Sequence, residues 1–233
     1  MGYVATRLLG EGRGIALTGI TGGLVSSTAI TLSFARQSRG QVMSGTAPAL
    51  AGGILLSWCV MFARVVIEVL VVNRQMVSQL LVPFACMTIA SAVLAWWFLR
   101  LSASRRRQML DTEVVILKNP FSLTQAIKFA AFFAAVLLLV RLGETWLPKQ
   151  GMYLLAGLAG VTDVDAITLS MAKYAHRHSA TDVAVNAIVI ASLSNTVVKA
   201  GIVVALGSNE LRKLMLASVI AILTSAALGL WLH

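Results

Sequence analysis

Long apolar runs separated by short clusters of charge organise this chain. Gly40–Ala63, Gln75–Leu99, Phe129–Val140, Val183–Val198 and Leu214–Leu232 contain no Asp, Glu, Lys or Arg. Several reach the roughly 20 residues a helix needs to cross about 30 Å of hydrocarbon. The alternation that a membrane-spanning barrel requires is not present. The pattern predicts an all-α, polytopic transmembrane bundle of about seven helices, near 14–35, 46–72, 76–99, 121–142, 151–173, 181–207 and 211–232. Pro48 and Pro120 fall where helix starts tolerate proline.

A repeat lies on top of this pattern. Ala-Ile-Thr-Leu-Ser occurs at Ala29–Ser33 and again at Ala166–Ser170, about 137 residues later. Gly19 and Gly22 precede the first copy, and Gly157 and Gly160 the second. Val4–Arg7–Gly10 resembles Val140–Arg141–Gly143, which assigns the 121–142 span to the second repeat and leaves the first without most of its leading helix. The expected organisation is a first transmembrane repeat over 1–103, a cytoplasmic linker over 104–120 and a second repeat over 121–233. Four helices per unit would make the repeats parallel, related by an axis along the membrane normal. That parity holds only if every span crosses; a broken or re-entrant glycine-rich segment would remove it.

Composition agrees with the pattern. Of 233 residues, 58% are hydrophobic and 12% charged, against about a quarter charged in soluble domains. The net charge of +10 sits in clusters between apolar runs, which points to lipid head groups and topology rather than nucleic acid. Arg36, Arg39, Arg100, Arg105, Arg106, Arg107, Lys118, Lys128, Lys173 and Arg177 are expected at one face. Arg7, Arg13, Arg74, Arg141, Lys149, Arg212 and Lys213 are expected at the other. The first group, being larger, is expected inside, with the C-terminus cytoplasmic. Cys59 and Cys86 both lie in apolar runs, which argues against a disulfide framework or a thiolate metal site. Walker, nucleophile-elbow and HExxH motifs are missing, so the chain does not read as an enzyme, and no cofactor is expected.

Charged side chains at membrane depth usually face the bundle interior. Arg64, Glu68, Asp163, Asp165 and Lys199 are the candidates. Arg64 and Glu68 are four apart and share a helix face. Val203 stands where Lys199 would need such a partner, so Lys199 is expected to pair with Asp163 or Asp165. Those two align with Ser26 and Thr28 in the first repeat, where Ser26, Ser27 and Thr28 form the polar counterpart. On one regular helix Asp163 and Asp165 would point about 200° apart. They converge only if the chain unwinds at Gly157–Gly160, with a helix starting near Asp163 or Asp165. The plainer alternatives are an aspartate N-cap and glycines that serve close packing. Ser192, Asn195 and Lys199 form one stripe, and with Thr162 they complete the expected ion site. His176-Arg177-His178 reads as a solvated loop.

Leu-Thr-Gly-Ile-Thr-Gly-Gly-Leu-Val-Ser-Ser-Thr at 17–28, Asn119–Leu123 and Asp163–Ser170 together resemble a prokaryotic membrane domain of unknown function found fused behind MgtC/SapB-type domains. The resemblance runs over essentially the whole chain. It implies a multi-pass protein of the bacterial or archaeal cytoplasmic (inner) membrane, an MgtC-like domain upstream and a link to magnesium.

The residues themselves support three readings. One is a secondary transporter or channel for an inorganic, divalent metal cation, coupled to protons, with Asp163 and Asp165 as the metal site and the cation as cargo. Another is an anion or acidic-solute transporter using Arg64 and Lys199. The third is a non-transporting membrane regulator. Expected partners are membrane lipids, the cation and a second copy of the chain, but not nucleic acid.

Overall fold

The computed structural model describes residues 11–39, 46–106, 138, 149–178 and 180–232. All of the span expected over 121–142 except Leu138, and nearly all of the 104–120 linker, lie outside the described residues. Seven α-helices fill the described segments, and no strand occurs among them. They are α1 (Glu11–Gln37), α2 (Ala47–Val72), α3 (Val77–Arg106), α4 (Lys149–Thr162), α5 (Asp165–His178), α6 (Thr181–Leu206) and α7 (Asn209–Trp231). A 3₁₀ turn at Arg74–Met76 joins α2 to α3. Asp165, Asp182 and Glu210 stand in the first turns of α5, α6 and α7, where a carboxylate offsets the exposed N–H groups and the positive dipole end. Ser208 caps α7 by accepting from the Leu211 amide at 3.3 Å.

By length and apolar composition, five segments can cross a membrane: Gly14–Gln37, Ala47–Val72, Arg74–Ser104, Thr181–Leu206 and Asn209–Trp231. The chain is thus a multi-pass helical membrane protein. Trp96, Trp97 and Trp231 are exposed, and Arg100 lies 4.6 Å over the Trp96 ring, as expected of side chains at a lipid–water boundary.

The helices pack as two compact units, neither of which coincides with a half of the sequence. The first draws on 1–62, 86–119 and 199–225; the second on 63–85, 120–198 and 226–233.

In the first unit, α1 is not a straight span. Ser26 is extended (φ −164°, ψ 108°), and its hydroxyl accepts from the Ala29 amide at 3.2 Å, capping the arm that follows. Both arms then meet α2 at one place: a Cβ on Gly53 would strike Ile15 and Phe34 alike. Nineteen residues of straight helix would hold those two side chains about 28 Å apart. A Cβ on Gly22 would likewise strike Ile30. α1 therefore doubles back at Ser26, which brings its two ends to one side of the first unit. This corrects the expected full crossing at 14–35, and the parity that made the repeats parallel goes with it. Close approach is bought with small residues: Gly19 lies on the Gly53 backbone and Gly23 on Ser57. Trp58, fully buried, donates to Thr31 Oγ1 at 3.1 Å and ties the returning arm to α2.

The base of that hairpin also settles a charge placement. Arg39 donates from Nη2 to the Ala205 carbonyl (2.7 Å) and from Nε to the Gly207 carbonyl (3.2 Å), capping the end of α6. Ser38 Oγ accepts from the Ser208 amide at 2.8 Å. Arg39 therefore shares a face with the α6–α7 connection beside Arg212 and Lys213, whereas the charge count had put them on opposite faces. The count assumed that α1 crosses.

In the second unit, α4 and α5 are 14 residues each, about 21 Å, too short to cross alone. The chain breaks between them at Asp163–Val164, after the glycines rather than at them. α4 runs unbroken through Gly157 and Gly160, and a Cβ on Gly160 would collide with the Ala191 backbone. Gly160 thus serves close packing; the expected unwinding at Gly157–Gly160 is displaced by three residues. Gly229 of α7 packs in the same way on Pro83 of α3.

Candidate functional site

The break between α4 and α5 collects the second unit's charge. The Asp163 amide closes α4 on the Ala159 carbonyl at 3.1 Å, and the Thr168 amide opens α5 on the Val164 carbonyl at 2.9 Å. Between them the Asp163 carboxylate accepts a long bond, 3.5 Å, from the Asp165 amide. An aspartate that can bond the backbone two residues on competes with the helix ladder. Two aspartates flanking one valine thereby turn the chain and bring both carboxylates to the turn.

Arg64 of α2 reaches this turn. Its Nη2 lies 2.8 Å from Asp165 Oδ1 and 2.6 Å from Oδ2. Its Nε lies 3.7 Å from Glu68 Oε1. The three side chains are 19–27% exposed. Asp163 belongs to the same electrostatic group as Arg64, Asp165 and Glu68. Asp163 Oδ2 and Glu68 Oε2 are buried and accept no hydrogen bond among the described residues. Among those residues three carboxylates thus gather near one guanidinium, a formal charge of −2 (three negative, one positive) when all are ionised.

This revises the expected pairing. The Arg64–Glu68 contact exists but is the looser one, and Asp165 is taken by Arg64 rather than held for Lys199. Lys199, 1% exposed, lies in the first unit with Nζ 2.7 Å from Ser27 Oγ and 2.8 Å from Met61 Sδ. The reason is geometric. α1 turns at Ser26, which puts Ser27 at the hairpin tip, within reach of a long side chain on α6.

The remaining expected residues divide. Asn195, 4% exposed, donates to the Gly160 carbonyl at 2.9 Å, and Ser194 donates to the Gly157 carbonyl at 2.8 Å, so α6 clamps the end of α4 beside the break. Ser192 bonds its own helix at the Ile188 carbonyl (2.9 Å). Thr162 is exposed at the end of α4 and Thr28 half-buried beyond the α1 tip. His176 and Arg177 are exposed, but they end α5 rather than forming the expected loop, because the helix runs on to His178. Among the described residues, no three His, Cys, Asp or Glu side chains converge in metal-binding geometry, so Asp163 and Asp165 would need hydroxyl, carbonyl or water oxygens to complete a shell.

One residue escaped the sequence reading. Thr168 is fully buried and its hydroxyl has no partner among the described residues, although Ser170 and Thr196 bond carbonyls four residues back. It stands one turn beyond Asp165 on the same side of α5. The repeated pentapeptide could have pointed to it, since the matching Thr31 is also buried but satisfied by Trp58 and the Ser27 carbonyl.

A relative in Aquifex aeolicus (strain VF5), described as an uncharacterized protein, is 32% identical over 202 residues, covering 85% of this chain and 84% of its own. No solved structure matches. Residues 1–207 match the family described as domain of unknown function DUF4010. With that match spanning the α1 hairpin, the Asp163–Val164 break, part-buried Arg64 and buried Lys199, the chain belongs to the DUF4010 family.

Proposed function

We propose that this protein is a secondary transporter or channel for an inorganic, divalent metal cation, coupled to protons, with the carboxylates at the α4–α5 break as the binding site. The observation that carries this reading is the excess of carboxylate there among the described residues: Asp163, Asp165 and Glu68 around Arg64. A formal charge of −2 at membrane depth calls for two positive charges, supplied by one divalent cation or by protons. Alternating between those two loads is what proton-coupled exchange requires. Interrupted helices whose ends and freed carbonyls face an ion are a recurrent transporter device, and Asn195 and Ser194 brace this one. The anion reading is weakened because Arg64 is already engaged by a carboxylate.

Arg36, Arg39, Arg100, Arg212 and Lys213 of the first unit would make the face where α1 enters a basic one, which fits a cytoplasmic face.

The test is reconstitution of purified protein into liposomes and a screen of Mg²⁺, Mn²⁺, Fe²⁺, Co²⁺, Ni²⁺, Zn²⁺, Na⁺ and H⁺ flux. Transport of at least one divalent cation above protein-free vesicles is expected. Flux confined to anions, or no flux, would reject the reading.

A further inference from the structure

Resting on the cation-site reading, we propose that Arg64 is a tethered competitor of the transported cation, and that Glu68 is where its guanidinium goes when the cation takes Asp163 and Asp165. The geometry points to a movable group. One nitrogen of Arg64 spans both Asp165 oxygens at 2.8 and 2.6 Å, while its Nε stands 3.7 Å from Glu68. Glu68 lies on the same helix four residues on, so a rotamer change of Arg64 moves its charge from α5 to its own helix without moving backbone.

The oxygens that such a move would release to a cation are present. Asp165 would be vacated and, among the described residues, Asp163 Oδ2 is buried and accepts nothing, while the Thr168 hydroxyl, fully buried and unpartnered, stands one turn along α5. Oxygen ligands of this kind suit hard divalent ions such as Mg²⁺ or Mn²⁺. Glu68 Oε2, also buried without a hydrogen bond, leaves Glu68 free to accept the guanidinium fully. The device keeps Asp165 paired when the site is empty, which lowers the uncompensated negative charge at membrane depth. It therefore acts as a gate on affinity rather than as a ligand.

Mn²⁺ binding to detergent-solubilised protein, read by electron paramagnetic resonance, tests this. Arg64→Ala should bind Mn²⁺ about tenfold more tightly than wild type, and added methylguanidinium should restore the weaker affinity. Glu68→Gln should bind more weakly than wild type, because the guanidinium then has no second carboxylate. Arg64→Ala with Glu68→Gln should bind as Arg64→Ala does. Should Arg64→Ala fail to fold, Glu68→Gln and wild type still decide the matter. Binding in wild type that is unchanged in Glu68→Gln, or no tighter in folded Arg64→Ala, overturns the competitor role and leaves the cation site standing. If Asp163→Asn with Asp165→Asn leaves Mn²⁺ binding unaltered, the site reading itself is what fails.

Discussion

Arg64 and Asp165, 101 residues apart in sequence, form the tightest ion pair among the described residues of the second unit, at 2.6 Å, while Glu68 on Arg64's own helix stands off at 3.7 Å. The long-range partner has displaced the local one. An i, i+4 pair is ready-made but weak; a carboxylate presented at a helix start, where its chain turns toward α2, can meet the guanidinium with both oxygens.

Stability should follow that ranking. Asp165→Asn leaves a part-buried guanidinium without its close partner and should cost about 3–5 kcal/mol. Glu68→Gln should cost less than half as much. Arg64→Met with Asp165→Leu should recover much of the loss. Thermal unfolding in detergent checks this, and equal losses for the two single variants would contradict it.

Glycine packing gives a second ranking. Gly160→Ala forces a methyl group into the Ala191 backbone, whereas Gly157→Ala finds only Ile190 at an ordinary 3.7 Å. The first should destabilise by about 1–3 kcal/mol, as overpacking does, and the second should be close to neutral. Thermal melts of the two variants, compared side by side, decide it.

Much of the architecture was legible because hydropathy dictates it. The expected 46–72 and 181–207 spans became Ala47–Val72 and Thr181–Leu206, since uncharged runs end where lipid ends. The folding back of α1 was not legible. An extended serine inside an apolar segment leaves the hydropathy profile unchanged, and Gly19, Gly22 and Gly23 suit a straight crossing as well as a hairpin. At the site, residue types were readable and pairings were not. Arg64, Glu68, Asp163, Asp165 and Lys199 all stand out as charges in lipid, but partner choice depends on where each helix breaks. Thr168 was hidden because a threonine in an apolar helix normally bonds its own backbone.

The hairpin predicts membrane sidedness. Cysteines introduced at Arg13 and at Arg36 should both react with an impermeant maleimide from one face, and a cysteine at Arg74 from the other. Labelling of the first two from opposite faces would restore a straight α1.

Arg39 should matter for stability rather than for binding. Arg39→Ala removes two bonds to the end of α6, those to Ala205 and Gly207. A loss of about 1.5–3 kcal/mol is expected, in keeping with hydrogen bonds to a charged group. Mn²⁺ affinity of the folded variant should not change.

The central claim is that the carboxylates at the α4–α5 break carry the cation, and divalent-cation flux in proteoliposomes tests it most directly. Asp163→Asn with Asp165→Asn, purified as a monodisperse and folded protein, should show no flux above protein-free vesicles, while Ser26→Ala and Thr28→Ala at the α1 break should only slow transport. Undiminished flux in the Asp163→Asn, Asp165→Asn variant would contradict the account.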